Sequence, residues 1–412
     1  MKKSISPSNV RVAIDIGTTK ICVLIAHCYN NEQFEIVGIG KAPSKGLARG
    51  VVVDIGPATK SIKSAIEEAE LMAGCSIESA YIGISGAHIA AYNSSGMIPV
   101  KHGEIRESDV KRVIAAAQAV PLAEGEKILH VMPQRYIIDQ IHTVQDPIGM
   151  HGVRLEAHVH IITGGVTSVQ NLVRCCELAN VKVRDIILEP LGSADAVLSQ
   201  DEKELGIGLL DIGGGTADFA VYHNGSIRHT RILPIAGNLF TQDIALCLKT
   251  TKADAERIKT TLGTVLSNDM PHHSTCSIAT IDGEGEQFVS TQDVLSIVSP
   301  RSQELMSLVA KEIETYKLHD LMPAGLVITG GGALLHGLTQ HATEIIHMPA
   351  RIGLPKVPET FEETMRHPTY ATGYGLLVHA LHKKKYGKNV AAAGPLMNRV
   401  FWKMKSWISD LF

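Results

Sequence analysis

Aromatic side chains are scarce, 4% of 412 residues, and the only two tryptophans, Trp402 and Trp407, stand near the end of the sequence. No sign of charge dominates. Lys and Arg number 39 against 42 Asp and Glu, a formal net charge of −3, so the global basic field that draws a protein to nucleic acid is absent. The seven cysteines are odd in number and form no Cys-x-x-Cys pair. Adjacent Cys175 and Cys176 fall in a helical pattern, so all seven read as small buried apolar residues in a reducing compartment. The nineteen histidines are scattered. His272-His273 lies in a polar loop, and nothing has the ligand spacing of a zinc site. No stretch approaches the ~18–20 apolar residues of a spanning helix. Two lysines near the start with no apolar run behind them argue against a signal peptide. Neither Gly-x-x-x-x-Gly-Lys-Ser/Thr nor a strand-to-helix Gly-x-Gly-x-x-Gly is present, which argues against P-loop and Rossmann folds.

The chain does contain a repeated order of elements. Composition is that of a globular protein, 45% hydrophobic and 20% charged. At roughly 150 residues per domain the length suits two or three domains around a sizeable core. Residues 10–16 form an apolar run closing in Asp15-Ile16-Gly17-Thr18-Thr19-Lys20. A second run occupies 21–26, a turn signal follows at Asn30-Asn31, and a third run covers 34–40. The pattern predicts strand, polar turn, strand, hairpin and strand, then a helix over 58–72 stopped at Gly74 and a strand over 80–84. The order returns at 207–212, which closes in Asp211-Ile212-Gly213-Gly214-Gly215-Thr216. Strands over 217–222 and 226–234 flank the hairpin turn Asn224-Gly225, and helices are predicted over 239–248 and 254–262. A period near half the chain is too long for a solenoid and implies two related lobes.

Between the lobes, 86–164 mixes strands over 128–138 and 153–163 with a helix over 108–119, for which Ser108 is a candidate N-cap. Helix, strand and helix follow over 167–198. A long helix is expected from Ser299-Pro300 to about residue 318, then a strand over 326–328 that ends in Thr329-Gly330-Gly331-Gly332. Residues 383–394 are basic, then Ala- and Gly-rich, and read as a flexible linker.

The two acidic turns suit a nucleotide. Gly17 lets backbone approach a phosphate. The turn N–H groups and the Thr18 and Thr19 hydroxyls donate to phosphate oxygens, and Lys20 adds positive charge. Asp15 would be repelled by phosphate itself and would hold water on Mg²⁺, an ion that keeps several waters. Asp211, Gly213, Gly214, Gly215 and Thr216 would do the same from the other lobe. Gly330, Gly331 and Gly332 would leave room for a sugar and α-phosphate. Each segment taken singly is also an ordinary Gly-rich turn; two copies at matching places in a duplicated order are not.

The C-terminal segment is amphipathic. At 100° per residue Leu396, Met397, Val400, Phe401, Met404, Trp407, Ile408, Leu411 and Phe412 fall within an arc of about 160°. Lys403 and Lys405 flank that arc, and Arg399, Ser406, Ser409, Asp410 and Trp402 fill the far side. The segment is too short to span a bilayer but fits a helix lying in its interface. Its three basic residues would add roughly 1 kcal/mol each on an anionic leaflet. A helix docked on the core and a partner-binding helix are the alternatives.

Asp15-x-Gly17-Thr18-Thr19, Asp211-x-Gly213-Gly214-Gly215-Thr216 and Gly330-Gly331-Gly332 resemble the two phosphate motifs and the adenosine motif of the actin, Hsp70 and sugar-kinase superfamily. Within it, the stretch from Arg49-Gly50-Val51-Val52-Val53-Asp54, the stretch 147–156 and the amphipathic C-terminus resemble the FtsA family of bacterial cell-division proteins, over essentially the whole chain. The resemblance implies an α/β, actin-like fold of two lobes with duplicated ribonuclease-H-like sheets. Lobe I would be 1–85 and 164–200, with an inserted FtsA-type subdomain at 86–163 used in filament contacts. Lobe II would be 201–237 and 301–382, with a subdomain at 238–300. A linker at 383–394 and a membrane-targeting helix at 395–412 would follow. ATP with Mg²⁺ would lie in the cleft.

The same resemblance places Glu256 and Lys259 near the adenosine, where an exposed ion pair is the alternative. It places Glu189 where relatives orient the attacking water, the alternative being a helix-start acid favoured by the dipole. Nucleotide would set polymer state, with at most slow hydrolysis. Implied partners are the C-terminal peptide of tubulin-like FtsZ, contacted in part by Arg301, further copies of the chain, anionic lipid through Val400, Phe401, Lys403, Met404, Lys405, Trp407, Ile408, Leu411 and Phe412, and other division proteins, but no nucleic acid. The implied location is the cytoplasmic face of the bacterial inner membrane at the division site. Competing functions are an Hsp70-type chaperone, for which only a linker and a short tail follow residue 375; a metabolic kinase or phosphatase, which leaves the tail unexplained; and a rod-shape or pilus-assembly protein, against which the 147–156 stretch argues.

Overall fold

Two five-stranded sheets with the same topology face each other in the computed structural model, which describes residues 9–29, 33–266, 275–279 and 285–390. In lobe I, β1 (Val10–Ile16), β2 (Lys20–Cys28) and β3 (Phe34–Pro43) form an antiparallel meander. A short hairpin, β4 (Leu47–Ala48) and β5 (Val51–Val52), leads into α1 (Ile55–Ala73). Asp54 caps α1 by accepting from the Gly56 N–H, and Gly74 ends it in the left-handed region. β6 (Ser79–Ile84) pairs parallel with β1. Its strands are near-continuous apolar runs because both faces are covered.

The chain then leaves the lobe. β7 (Ile89–Pro99), α2 (Glu107–Ala117), β8 (Glu126–Ile138), β9 (His142–Val144) and β10 (Arg154–Gly165) build a separate four-stranded sheet in the order β7-β10-β8-β9, with α2 against it. Ser108 is not the cap of α2: the helix starts at Glu107, and the Asp109 carboxylate accepts from the Arg106 N–H. β7 has no strand signature in the sequence, because Asn93-Ser94-Ser95-Gly96 reads as a loop. In the fold these residues serve contacts instead. Ser94 donates to the Ala117 carbonyl over 2.9 Å, and a Cβ at Gly96 would strike the α2 backbone.

α3 (Val166–Leu178) and β11 (Lys182–Leu188) complete lobe I in the order β11-β6-β1-β2-β3. α4 (Glu189–Val197) and α5 (Gln200–Leu205) cross to lobe II, where β12 (Ile207–Ile212), β13 (Ala217–His223) and β14 (Ser226–Leu233) repeat the meander. α6 (Gly237–Cys247), α7 (Lys252–Leu262), the ribbon β15 (Thr275–Ala279) and β16 (Glu286–Ser290), and α8 (Thr291–Thr315) follow. α8 starts at a Ser290–Asp293 capping box and contains Pro300, so the helix expected from residue 299 begins earlier and runs across the boundary read at 300/301.

β17 (Leu326–Thr329) joins β12 in parallel, α9 (Leu338–Ile346) follows, and β18 (Ala350–Ile352) gives the order β14-β13-β12-β17-β18, the counterpart of lobe I. The chain then passes through α10 (Glu362–Met365) to α11 (Ala371–Val390). That helix takes in 383–390 of the expected linker, where Lys383, Lys384, Lys385 and Lys388 favour helix and Gly387 is tolerated, and Pro395 comes only later. α4 and α11 cross where a Cβ at Gly375 would overlap the Gly192 carbonyl, so both must be small.

Candidate functional site: a cleft between the lobes

Each lobe's first hairpin ends in the same turn. Gly17 N–H donates to the Lys20 carbonyl over 3.0 Å in one, and Gly213 N–H to the Thr216 carbonyl over 2.9 Å in the other. The duplicated sheets bring the two turns together. A Cβ at Gly214 would strike Thr19, and one at Gly215 would strike Thr18, so the glycines let the turns close on each other. The Thr18 hydroxyl accepts from Gly50 N–H over 3.0 Å, in a turn where Arg49 and Gly50 both have positive φ (48° and 75°). Lys20 donates to the Thr369 carbonyl and lies over the Tyr370 ring, 5.2 Å from its centre.

Four carboxyls converge at the strand ends. Asp15, Asp211 and Asp218 are buried, and Glu189 opens α4. Burial pushes Asp15 up to about 6, with Lys20 pulling it down and Asp211 pushing it further up. Burial also raises Asp211, against hydrogen bonds from Ser193 and Thr372 and the charge of Lys20. The Thr372 bond measures 2.9 Å, and Ser193 donates to the same Oδ2. Asp218 is pushed up to about 8, first by burial and then by Asp211, although Ser85 donates to it over 2.8 Å. Glu189 is held well above the usual carboxylate range by burial and by Asp15, Asp218 and Asp211. Desolvation and like charge act in the same direction here, so the pocket has unmet demand for positive charge. Among the described residues no three His, Cys, Asp or Glu side chains are placed to hold a metal ion between them.

Of the residues read as binding, Asp15, Gly17, Thr18, Thr19, Lys20, Asp211, Gly213, Gly214, Gly215 and Thr216 lie in the two facing turns. Gly330, Gly331 and Gly332 follow β17 beside them. A Cβ at Gly330 would strike Asp211, and one at Gly332 would strike Ile212, so these glycines also let the loop pack on β12. Glu256 and Lys259 are an ion pair (2.7 Å), and Lys259 also donates to the Gly237 carbonyl (3.1 Å). Gly237 N–H in turn bonds the Gly213 carbonyl over 3.0 Å, which links the pair to the second turn. Arg301 forks onto Asp243 at 2.7 and 3.0 Å and also pairs with Glu304, tying α8 to α6. The amphipathic segment, including Val400, Phe401, Lys403, Met404, Lys405, Trp407, Ile408, Leu411 and Phe412, lies outside the described residues. Among the described residues no helix is long and apolar enough to cross a membrane.

Asp218, Ser85, Ser193 and Thr372 were not singled out from the sequence. Asp218 did carry a signal: it is a charged residue inside an apolar strand, and it sits directly across from Asp211 in the β12–β13 ladder. The other three reach the site only because β6, α4 and α11 converge there.

A family model described as "Cell division protein FtsA" matches residues 208–375, and one described as "SHS2 domain inserted in FTSA" matches residues 86–163. Curated relatives named cell division protein FtsA include one from Pseudomonas aeruginosa, 40% identical over 99% of this chain and 100% of its own length. Another, from Escherichia coli K12, is 36% identical over 97% and 96%. Among solved structures, the PilM-PilN type IV pilus biogenesis complex superposes with a TM-score of 0.67 at 16% identity, covering 90% of this chain and 98% of that one. MreB5 of Spiroplasma citri bound to ADP superposes with a TM-score of 0.58 at 15% identity, covering 93% and 99%. These likenesses show an actin-like fold. With relatives of this identity matched end to end, the chain belongs to the FtsA family of cell division proteins.

Proposed function

We propose that the chain is an ATP-binding division protein that polymerises on the inner face of the cytoplasmic membrane and ties the FtsZ ring to it. The observation that carries the nucleotide part is the meeting of the two acidic turns. Their N–H groups, Thr216's among them, the Thr18 and Thr19 hydroxyls and Lys20 form a donor set suited to phosphate oxygens. The four carboxyls with raised pKa values supply the demand for a divalent cation. Mg²⁺ keeps most of its water and takes few protein carboxylates. Asp15 and Asp211 would hold it through water. When bound it would neutralise phosphate charge.

The same cation would lower the carboxyl of Glu189 toward its ionised form, in which it can accept a proton from water. Before that, a carboxyl crowded by three aspartates is a poor base, which suits slow hydrolysis and a nucleotide used to set polymer state. Glu256 and Lys259, already tied to the second turn, would border the adenosine beside Gly330–Gly332. That MreB5 was solved with ADP and also with AMPPNP supports a nucleotide in this fold.

The division partners rest on family membership. An FtsZ peptide that used Arg301 would have to exchange its own acid for Asp243. The 86–163 subdomain would serve filament contacts and the amphipathic C-terminus would hold lipid; polymerised subunits would bind a membrane tightly through multivalency. Liposome flotation checks the tether. The full chain should float with anionic vesicles, and a chain ending after α11 at Val390 should stay at the bottom. Equal flotation of both removes the tether.

A further inference from the structure

A cavity of about 180 Å³ lies behind the second phosphate turn, on the side away from Asp211's strand partners in β17. At roughly 10–15 Å³ for each water, it has room for several waters, and the exposed Arg49, Ala87, Ala90 and Arg231 in its lining leave it open to solvent. Buried Thr216, the last residue of the turn, lines it. One wall is Arg49 and the start of β7, where Ala87, Ala90 and Ala91 leave space; the other is β14, with His229 and Arg231. Glu312 and the half-exposed Tyr316 also line it.

The charges in this chamber do not cancel. Glu312 accepts from or pairs with His229 Nε2 at 2.9 Å and reaches Arg231 at 3.9 Å. Burial holds His229 below the usual imidazole range, so it brings a hydrogen bond rather than a full charge. Arg49 adds a second guanidinium, on an exposed turn. Two arginines therefore border a cavity that holds one carboxylate. Arginine's planar fork matches phosphate-type oxygens better than any other side chain.

We propose that this chamber binds a phosphate-type oxyanion between Arg49 and Arg231. The chemistry is that of inorganic phosphate. Thr216 belongs to both the chamber and the second turn, so one source is the nucleotide of the cleft, which rests on the ATP reading above; the other is free phosphate.

The test is a calorimetric titration of the full chain with inorganic phosphate, first without nucleotide and then saturated with Mg-ADP. Phosphate should bind saturably in at least one state. Arg231→Gln and Arg49→Asn should each weaken it at least tenfold. Asn tolerates the positive φ at position 49, and Arg231 is 58% exposed, so both variants should keep the wild-type melting transition. Arg231→Lys should retain part of the affinity. Phosphate that merely entered the cleft would be indifferent to Arg231. No saturable binding in either state, or unchanged affinity in Arg231→Gln, overturns the proposal. Binding that needs ADP identifies the nucleotide as source, and equal binding without it identifies free phosphate. If Mg-ADP itself fails to bind, the cleft reading falls, while the titration of the nucleotide-free chain still decides the chamber.

Discussion

Asp218 shows how strongly a single position can feel its neighbours. It faces Asp211 across the β12–β13 ladder, and Asp15 comes from the other lobe. A carboxyl whose folded pKa lies above its unfolded value binds more protons folded than unfolded, so it makes stability fall as pH rises. For Asp15 the window runs from its ordinary 3.8 to about 6, and for Asp218 from 3.8 to about 8. In divalent-free buffer the urea midpoint should therefore drop between pH 6 and pH 8. Asp218→Asn keeps the shape and removes Asp218's whole share of that slope. The variant should match wild type only below about pH 4, gain on it steadily through pH 6, and hold a constant lead above pH 8. A wild-type midpoint that rises over this range would show that the carboxyls are relieved by something other than protons.

Among the elements, β14 has two roles. It is the outer strand of lobe II, and the inserted subdomain docks on it through buried polar groups. Gln134 donates to the Ile227 carbonyl (2.9 Å) and to Asn93 (3.0 Å). His160 bridges Asn93 and Thr230 at 2.7 and 2.9 Å. Burial drives His160 down to about 3, so this joint does not titrate near neutrality. Gln134→Ala leaves the buried Ile227 carbonyl without its donor and should cost about 1–3 kcal/mol, read as a shift in urea midpoint at unchanged slope. A shift near zero would mean that water replaces the amide.

Elements were legible where local pattern and final burial agreed. The two strand-turn-strand openings stand out because both faces of those strands are covered, which makes them unbroken apolar runs. β7 did not stand out, since Asn93, Ser94 and Gly96 are chosen for a docking joint and a close helix, and such partners lie far off in sequence. α8 was expected only after Ser299-Pro300; the Ser290–Asp293 capping box was the better signal. Asp15 and Asp211 were visible from motif alone. The hydroxyls that hold Asp211, from Ser193 and Thr372, come from helices that meet only after the lobes assemble.

At the scale of the whole molecule, duplication positions the site. Two copies of one sheet, each with its acid at the end of the first strand, face each other about the α4–α11 crossing, so one cleft receives matched turns from both sides. The most direct test is equilibrium binding of ATP to the full chain, with and without Mg²⁺, for wild type, Asp15→Asn and Asp211→Asn, each checked for an intact melting transition. Mg²⁺-dependent binding that falls at least tenfold in both variants is predicted. Affinity that is indifferent to Mg²⁺, or unchanged in either variant, would contradict a single Mg-nucleotide shared by the two turns.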